Sequence, residues 1–392
     1  MLRDSTGVGV EVCATLEAMQ TSSSSTDPTA PKRLLGVVPG SLVSGAESVL
    51  LRDCLAARNA GWEVRIACSD GPFVQRLASE GVERISIPDL RLGDGNRFLA
   101  FAHAIVNAAR AAYKLRRSLL PSELVIANSI NVLPATAFAA KTHRVIYFGH
   151  DVLIRRDRLT LLKTLRRRVH LAVAVSDTVA RTIRSTGIPT TVIHNGTSWP
   201  VAPAPEPSRD APPVIGIAAV LTPWKGHSVL LEALSLMAHK EAMLEIMGGT
   251  PPKEMGYANE LLQRSQRCDL AGRVTFLGHV ESPLDRMRTW TVVVLPSIDP
   301  EAGPLTALEA MSIGVPVVGT DHGGMVEVMG DAGLLVPPSD AQALAAAVDR
   351  LLDDQDLQRR CRAAGPQQII AHRLTLADHE SRMLEIFDAQ RR

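Results

Sequence analysis

The chain has 392 residues, of which 46% are hydrophobic and 21% charged, with a formal net charge of +1. These values are typical of a folded globular protein long enough for two domains, and they exclude a disordered chain. The charge is uneven: residues 33–196 carry 23 Lys and Arg against 12 Asp and Glu, and the remainder carries 19 against 29. A basic first half indicates an anionic partner, but aromatic residues make up only 4% and no base-stacking motif is present, which argues against nucleic acid.

Cysteines and histidines give no sign of disulfides or metals. The five cysteines are scattered without a C-x-x-C pair, which fits free thiols in a reducing cytosol. The histidines include no H-E-x-x-H motif, so a protein-bound metal is not predicted. No obligatory cofactor is expected. The N-terminus lacks the basic-then-apolar order of a signal peptide, and no apolar run reaches membrane-spanning length. We therefore expect a cytoplasmic protein.

Residues 1–32, with the run Ser22–Ser25, are predicted to be a disordered extension. From Arg33 onward the pattern is strand, turn and helix, repeated, which predicts a parallel sheet covered on both faces. A helical pattern over 46–60 separates the first two strands. The strand candidates of this half are Leu34–Val38, Glu63–Cys68, Leu124–Ala127, Val145–Phe148 and Leu171–Val175.

A proline-rich stretch that begins at Pro200 is the natural domain boundary, and 197–212 is predicted to be a linker. The strand candidates beyond it are Val214–Ala219, Ala242–Met247, Val274–Leu277, Thr291–Leu295 and Val315–Val318, with the clearest helix at 341–353. The predicted fold class is α/β, with two Rossmann-like doubly wound parallel-sheet domains, 33–196 and 213–370, facing a central cleft. A helix within 371–392 is expected to pack back on the first domain. A single large domain is the alternative.

Two segments of the first half are candidate binding elements. Gly40–Glu47 follows the first strand and opens a helix, so that its glycines allow a phosphate or sugar to approach the backbone; a glycine-rich turn alone is weak evidence of this. His150 ends a strand at its carboxyl edge, where it either contacts a ligand or simply caps the strand.

The segment 155–168 is basic and has leucines at helical spacing. It predicts either a surface for anionic lipid or a solvated basic helix with one buried stripe. A surface for anionic lipid would favour a lipid-linked acceptor.

Lys225 follows a strand and a proline turn and stands with Gly226 just before a helix. A point charge at that position suits a diphosphate, whose charge grows as it leaves. An exposed lysine at a turn is the plain alternative.

The strongest signal is the run from Leu295 to Glu327. A buried strand ends, a loop carries Glu301, and a helix begins near Pro304, whose fixed φ suits the first helical position. The free amides of that first turn form an anion site. Glu309 lies about five residues into the helix, roughly 8 Å along it, so that the two carboxylates hold the two ends of an elongated ligand. Gly323-Gly324 brings bare backbone close to the same place.

This run resembles the E-x7-E signature of the family-4 retaining glycosyltransferases of GT-B fold, with Glu301 and Glu309 as the two acids. The resemblance extends from Leu34 to the C-terminus. It includes Ala174-Val-Ser-Asp177, His194-Asn-Gly196, Leu221-Thr-Pro-Trp-Lys-Gly226 and Val274-Thr-Phe-Leu-Gly-His-Val280.

The resemblance implies metal-independent transfer of a sugar from a nucleoside-diphosphate sugar, with retention at the anomeric carbon. Glu309 would bind the ribose, Glu301 the transferred sugar, and Lys225 the diphosphate. The amides near Gly303 and Leu305 would reach sugar and phosphate, and Gly278 and Val280 would line the base pocket. Gly45 would be the close-approach residue of the first domain. His150 would lie near the acceptor or the sugar, where the family has a histidine that is treated as assisting the reaction, so that Glu301 and His150 are the catalytic candidates.

The sequence departs from the family at two positions. Val220 stands where the family often has an arginine, five residues before the lysine, and Pro304 stands where it commonly has a glycine. A sugar phosphorylase or nucleotide-sugar epimerase on the same fold, and a catalytically weak sugar-nucleotide-binding subunit, are therefore the rival hypotheses.

Overall fold

The computed structural model describes residues 31–41, 44–91, 97–208 and 210–391, and of 97–100 it describes the backbone. All but the last two residues of the predicted N-terminal extension lie outside these ranges. The chain forms two compact units. The first runs to His194 and includes the residues from Glu380 onward; the second is Asn195–His379.

The first unit is built on a seven-stranded, fully parallel sheet of order β3-β2-β1-β4-β5-β6-β7. The strand order reverses between β1 and β4, as in doubly wound folds. The strands are β1 Arg33–Val37, β2 Glu63–Cys68, β3 Glu83–Ser86, β4 Leu124–Ala127, β5 Val145–Gly149, β6 Leu171–Ala174 and β7 Thr190–Val192. The helices between them are α1 Gly45–Asn59, α2 Pro72–Ser79, α3 Arg97–Ser118, α4 Leu133–Ala139, α5 Arg156–Leu165 and α6 Asp177–Arg184.

The second unit contains a six-stranded parallel sheet of order β10-β9-β8-β11-β12-β13, which reverses between β8 and β11. Its strands are β8 Val214–Ala218, β9 Met243–Met247, β10 Val274–Gly278, β11 Val292–Leu295, β12 Val317–Thr320 and β13 Gly333–Val336. Its helices are α7 His227–Leu236, α8 Met255–Ser265, α9 Pro283–Met287, α10 Leu305–Ser312, α11 Gly324–Met329, α12 Ala341–Asp353 and α13 Gln355–Ala371, and α14 Leu376–Arg391 follows.

Both faces of the second sheet are buried. Successive strand residues point to opposite faces, so each strand supplies side chains to the apolar clusters on both sides. Along β11, Val292 and Val294 join one apolar cluster, whereas Val293 and Leu295 join the other. Continuous runs of β-branched residues suit such a doubly covered strand.

Side-chain caps fix where several helices begin. Ser176 accepts a hydrogen bond from the amide of Val179, and Asp340 accepts one from that of Ala343 at 2.8 Å. Such caps satisfy amides that the first turn of a helix leaves unpaired.

The end of the chain belongs to the core of the first unit. Met383, Ile386 and Phe387 of α14 are buried in its apolar cluster, and the ring of Phe387 meets Trp62 edge-on with centroids 6.0 Å apart. The proline-rich segment that the sequence marks as a linker contacts the second unit: the Ala204 amide donates to the Ile313 carbonyl at 2.7 Å.

The predicted strands form with shifts of one or two residues at some ends, and three others were missed. The missed strands are β3, β7 and β13, all at sheet edges and only partly buried. One helix prediction needs correction: Pro304, with ψ near 83°, precedes the first helical residue, Leu305. The helix expected within 371–392 is α14, which begins at Leu376.

No helix among the described residues is both long and apolar enough to cross a membrane.

Candidate functional site

The turns after β8 and β11 meet at the reversal point of the second sheet. These strands are parallel neighbours, with Val292 beside Ile215. Ligands of doubly wound sheets bind beyond the carboxyl ends of the strands at such a point. Lys225 follows β8 and Glu301 follows β11, so that the fold brings together two residues that are distant in sequence.

The two turns lock together through backbone contacts. Lys225 ends a short 3-10 turn, and Gly226 then adopts a left-handed conformation with φ of 74°. A Cβ atom at Gly226 would lie 1.9 Å from the carbonyl oxygen of Pro296, so only glycine fits there. The amide of Ile298 donates to the Trp224 carbonyl at 2.7 Å.

Lys225 and Glu301 form an ion pair in which Nζ lies 2.6 Å from Oε1. The Ser297 hydroxyl donates to the same oxygen at 2.5 Å, and Glu301 is only 7% exposed. The ammonium also lies 4.1 Å from the centroid of the Trp224 ring. Charge-assisted bonds in such a shielded place are stronger than on an open surface. Sequence reasoning missed Ser297, although a hydroxyl four residues before a loop carboxylate was a visible signal.

The Gly323-Gly324 turn packs directly on the Glu301 backbone. The Gly324 amide donates to the Glu301 carbonyl at 2.7 Å. Gly323 has φ of 65°, and a Cβ atom there would lie 2.4 Å from the same carbonyl oxygen. The turn therefore fixes the loop that carries the carboxylate.

Glu309 is the fifth residue of α10 and is half-buried. The helix is tied to the end of β8, because the Thr306 hydroxyl donates to the Ala218 carbonyl at 3.1 Å. Leu305 begins the helix, and the Gly303 carbonyl accepts a hydrogen bond from the buried Asn195 side chain at 3.1 Å. Gly303, Leu305 and Glu309 thus lie on one continuous segment after Glu301.

Gly278 and Val280 lie at the end of β10, which β9 separates from β8. Gly278 is exposed with φ of 65°, and its carbonyl accepts from the Gly248 amide at 2.8 Å. Val280 packs against the apolar cluster of the second unit that contains Val293 and Leu295. These residues share the carboxyl edge of the sheet with Lys225 but stand two strands away from β8.

The first unit carries the two other predicted residues, His150 and Gly45, together with Asn128, which contacts His150. His150 follows β5, and its Nε2 lies 2.9 Å from Oδ1 of Asn128, a buried residue that follows β4. Gly45 is exposed and begins α1 after β1. All three positions therefore lie at the carboxyl ends of neighbouring strands of the first sheet.

His227, which follows Gly226, is fully buried, and sequence reasoning did not single it out. In the described part of the chain neither ring nitrogen makes a hydrogen bond of ordinary length and angle, although the backbone of Ala219 and Thr222 lies close enough to influence the ring. Burial lowers the pKa of His227 from 6.5 to about 4; Lys225 also lowers it, while the nearby Ala219 and Thr222 backbone raises it by less. The imidazole is therefore neutral at physiological pH.

Within the described ranges, no group of three or more His, Cys, Asp or Glu side chains is placed to hold a metal ion.

Two family profiles match this chain. One, described as Glycosyltransferase Family 4, matches residues 43–198. The other, described as Glycosyl transferases group 1, matches residues 201–368. Together with the doubly wound fold they define the class of protein as a glycosyltransferase. The chain belongs to the family-4 glycosyltransferases, as its motifs predicted.

Two curated relatives show the range of the family. The phosphatidyl-myo-inositol mannosyltransferase of Mycolicibacterium smegmatis is 30% identical over 184 residues, covering 46% of this chain and 46% of that protein. The D-inositol 3-phosphate glycosyltransferase of Jonesia denitrificans is 30% identical over 187 residues, covering 45% and 43%. The match thus spans less than half the length of each relative.

Solved structures match over nearly the whole chain. The Anabaena protein HepE in complex with UDP-glucose has a TM-score of 0.76 at 22% identity, covering 91% of this chain and 99% of that one. The sucrose-phosphate synthase of Thermosynechococcus elongatus has a TM-score of 0.75 at 19% identity, covering 91% and 98%. At these identities the likeness shows the fold, which is the predicted GT-B class.

Proposed function

We propose that this protein transfers a sugar from a nucleoside-diphosphate sugar to an acceptor hydroxyl, with retention at the anomeric carbon. The observation that carries the proposal is the contact between the Lys225 ammonium and the Glu301 carboxylate at the reversal point of the second sheet. A cation beside a hydrogen-bond acceptor suits a ligand in which a diphosphate adjoins a sugar.

Each residue of the second unit then has a role. Lys225 binds the diphosphate, and Glu301 accepts hydrogen bonds from hydroxyls of the transferred sugar. Glu309 binds the ribose hydroxyls, and the amides near Gly303 and Leu305 reach sugar and phosphate. Gly278 and Val280 line the pocket of the base. In the first unit, Gly45 allows close approach of a ligand, and His150 contacts the acceptor or the sugar.

The chemistry needs charge stabilisation more than proton transfer. The bond between the anomeric carbon and the diphosphate oxygen breaks, and the acceptor hydroxyl attacks from the same face. The hydroxyl proton passes to the departing phosphate oxygen. Lys225 stabilises the negative charge that develops there, so the reaction requires neither a metal nor a cofactor.

The relatives suggest the first substrates to try. HepE is described in complex with UDP-glucose, and both curated relatives are named for inositol-containing acceptors. We propose a lipid-linked or cell-envelope acceptor and a cytoplasmic protein at the inner face of the membrane.

A thermal-shift screen against nucleoside diphosphates and their sugars tests donor binding, since a ligand specific for the folded form raises the apparent stability. Lys225→Ala and Glu309→Ala should lose most of the shift, whereas Lys253→Ala, which removes an exposed lysine of the same unit, should keep it. A Glu309→Ala variant that binds as tightly as the wild type contradicts the ribose assignment. Proton NMR of the product then reports the anomeric configuration.

A catalytically weak donor-binding subunit is the second candidate. It is favoured by Val220, an exposed apolar side chain in the turn that leads to Lys225. It requires donor binding without turnover on any acceptor. Free sugar phosphate or an epimerised donor would instead indicate a phosphorylase or an epimerase.

A further inference from the structure

The basic segment 155–168 does not expose the leucines that its helical spacing would place on a lipid-binding face. Most of its leucine stripe is packed inside the first unit: Leu153, Leu162, Leu165 and Val169 are buried, although Ile154 beside the segment is 63% exposed. A lipid surface could reach its arginines and Ile154 but not the buried leucines.

Helix α3 has the opposite character. Phe101 is 64% exposed and Tyr113 61% exposed, and Ile105 and Val106 are exposed as well. At about 100° per residue these four side chains fall within an arc of about 140°. We call them the α3 face.

The other side of α3 holds the helix on the unit. Ala111 and Leu115 are buried, and the Asn107 side chain donates to the Asp89 carbonyl at 3.0 Å. Helix α3 is therefore packed on one side, and among the described residues its opposite side, the α3 face, is exposed. Large exposed apolar patches mark interaction sites.

The charges beside the α3 face have one sign. The sequence of α3 contains five Lys and Arg and no Asp or Glu. Arg110, Lys114 and Arg117 are exposed and occupy an arc of about 60° next to the α3 face. Arg116, also exposed, lies within the arc of the α3 face, about one turn beyond Tyr113. An apolar band with basic side chains along one side and at its end suits the boundary between lipid headgroups and acyl chains.

We propose that the α3 face docks on the surface of an anionic lipid bilayer, with the basic stripe at the level of the headgroups. A second copy of the chain is a poorer occupant, because a symmetric contact through α3 would bring two basic stripes together. This inference concerns a surface outside the donor site.

Flotation with vesicles tests it, using phosphatidylcholine alone and phosphatidylcholine with about one third phosphatidylglycerol. The wild type should float with the anionic vesicles and lose binding in high salt. The apolar variant is Phe101→Ser, Ile105→Ser and Tyr113→Ser together. The charge variant is Arg110→Gln, Lys114→Gln and Arg117→Gln together.

Two matched controls remove the same kinds of side chain elsewhere. Arg166→Gln, Arg167→Gln and Arg168→Gln remove three exposed charges from the basic segment. Leu236→Ser, Leu262→Ser and Ile370→Ser remove three exposed apolar side chains from the second unit.

We expect the charge variant to bind more weakly by about fivefold per charge removed. The apolar variant should bind at least about tenfold more weakly, and both controls should bind within about twofold of the wild type. The nucleotide thermal shift should be unchanged in all variants, which separates this surface from the donor site. Three results would overturn the proposal: equal affinity for both vesicles, equal losses in the controls, or α3 substitutions that change only the oligomeric state.

Discussion

The carboxylate of Glu301 receives both of its described hydrogen bonds at one oxygen, from Lys225 and from Ser297. Under the proposed function, a donor diphosphate would draw the ammonium away, and the serine hydroxyl would still hold the carboxylate in place. Ser297 would then be a positioning residue for Glu301.

Ser297→Ala tests that role. We expect UDP affinity within about twofold of the wild type, because UDP does not use Glu301, but kcat/KM for the intact donor about tenfold lower. Calorimetry and steady-state kinetics measure the two quantities. Ser312→Ala removes an equally buried hydroxyl, which donates to the Glu309 carbonyl, and should leave both unchanged. Parallel losses of UDP affinity, donor use and melting temperature would mean a structural role instead.

Substituting Val220 by arginine is expected to increase nucleotide affinity. Its side chain is 47% exposed, so an arginine fits without disturbing the core. Val220→Arg should strengthen UDP binding by about three- to tenfold through a second cation near the diphosphate. Leu236→Arg adds the same charge at a similarly exposed position at the far end of α7 and should have little effect. Equal gains in both variants would indicate net charge alone.

His227 should make stability depend on pH. The folded-state pKa of about 4 lies below the ordinary 6.5, so the unfolded chain binds a proton more readily. The stability that this group contributes is present above pH 6.5 and is lost as the pH falls towards 4, by about 3 kcal/mol in all. Urea unfolding of the wild type and of His227→Leu at several pH values measures the difference. Parallel curves over this window would show that His227 is not responsible.

At the scale of elements, the central strands were predictable and the edges were not. β4, β5 and β6 are short apolar runs, buried on both faces, and their composition alone predicts them. β3 and β7 are edge strands with the sequences ERIS and TTV, which bury little and give no such signal.

The site shows a similar division. Glu301 and Lys225 were predicted from their motifs. Ser297 contacts Glu301 within one loop, and the spacing of four residues was a signal that sequence reasoning passed over. The complete burial of His227 depends on tertiary packing, which only the structure reveals.

The interlocked turns after β8 and β11 make Gly226 a sensitive position. Gly226→Ala should destabilise the second unit by about 3 kcal/mol or more, since it combines a left-handed φ with a backbone clash. Gly61→Ala has a similar φ of 86° with nothing within 4 Å of the new methyl, and should cost only about 1 kcal/mol. Chemical unfolding compares the two. Equal costs would show that the clash relaxes.

At the scale of the whole molecule, the chain returns to its first unit after completing the second. Phe387→Ala should therefore destabilise the first unit by about 3–5 kcal/mol, although it lies five residues from the C-terminus. The thermal shift given by UDP should persist, because the proposed donor site lies in the other unit. Ile370→Ala, at an exposed apolar position, serves as the control in differential scanning calorimetry. A lost nucleotide response would mean that the units unfold together.

The ion pair between Lys225 and Glu301 also bears on product release. Under the proposed function, spent nucleotide takes the ammonium but offers the carboxylate nothing in return. The intact donor replaces that lost partner with sugar hydroxyls. The protein would then bind the intact donor more tightly than the spent nucleoside diphosphate. This difference favours continued turnover as nucleoside diphosphate accumulates.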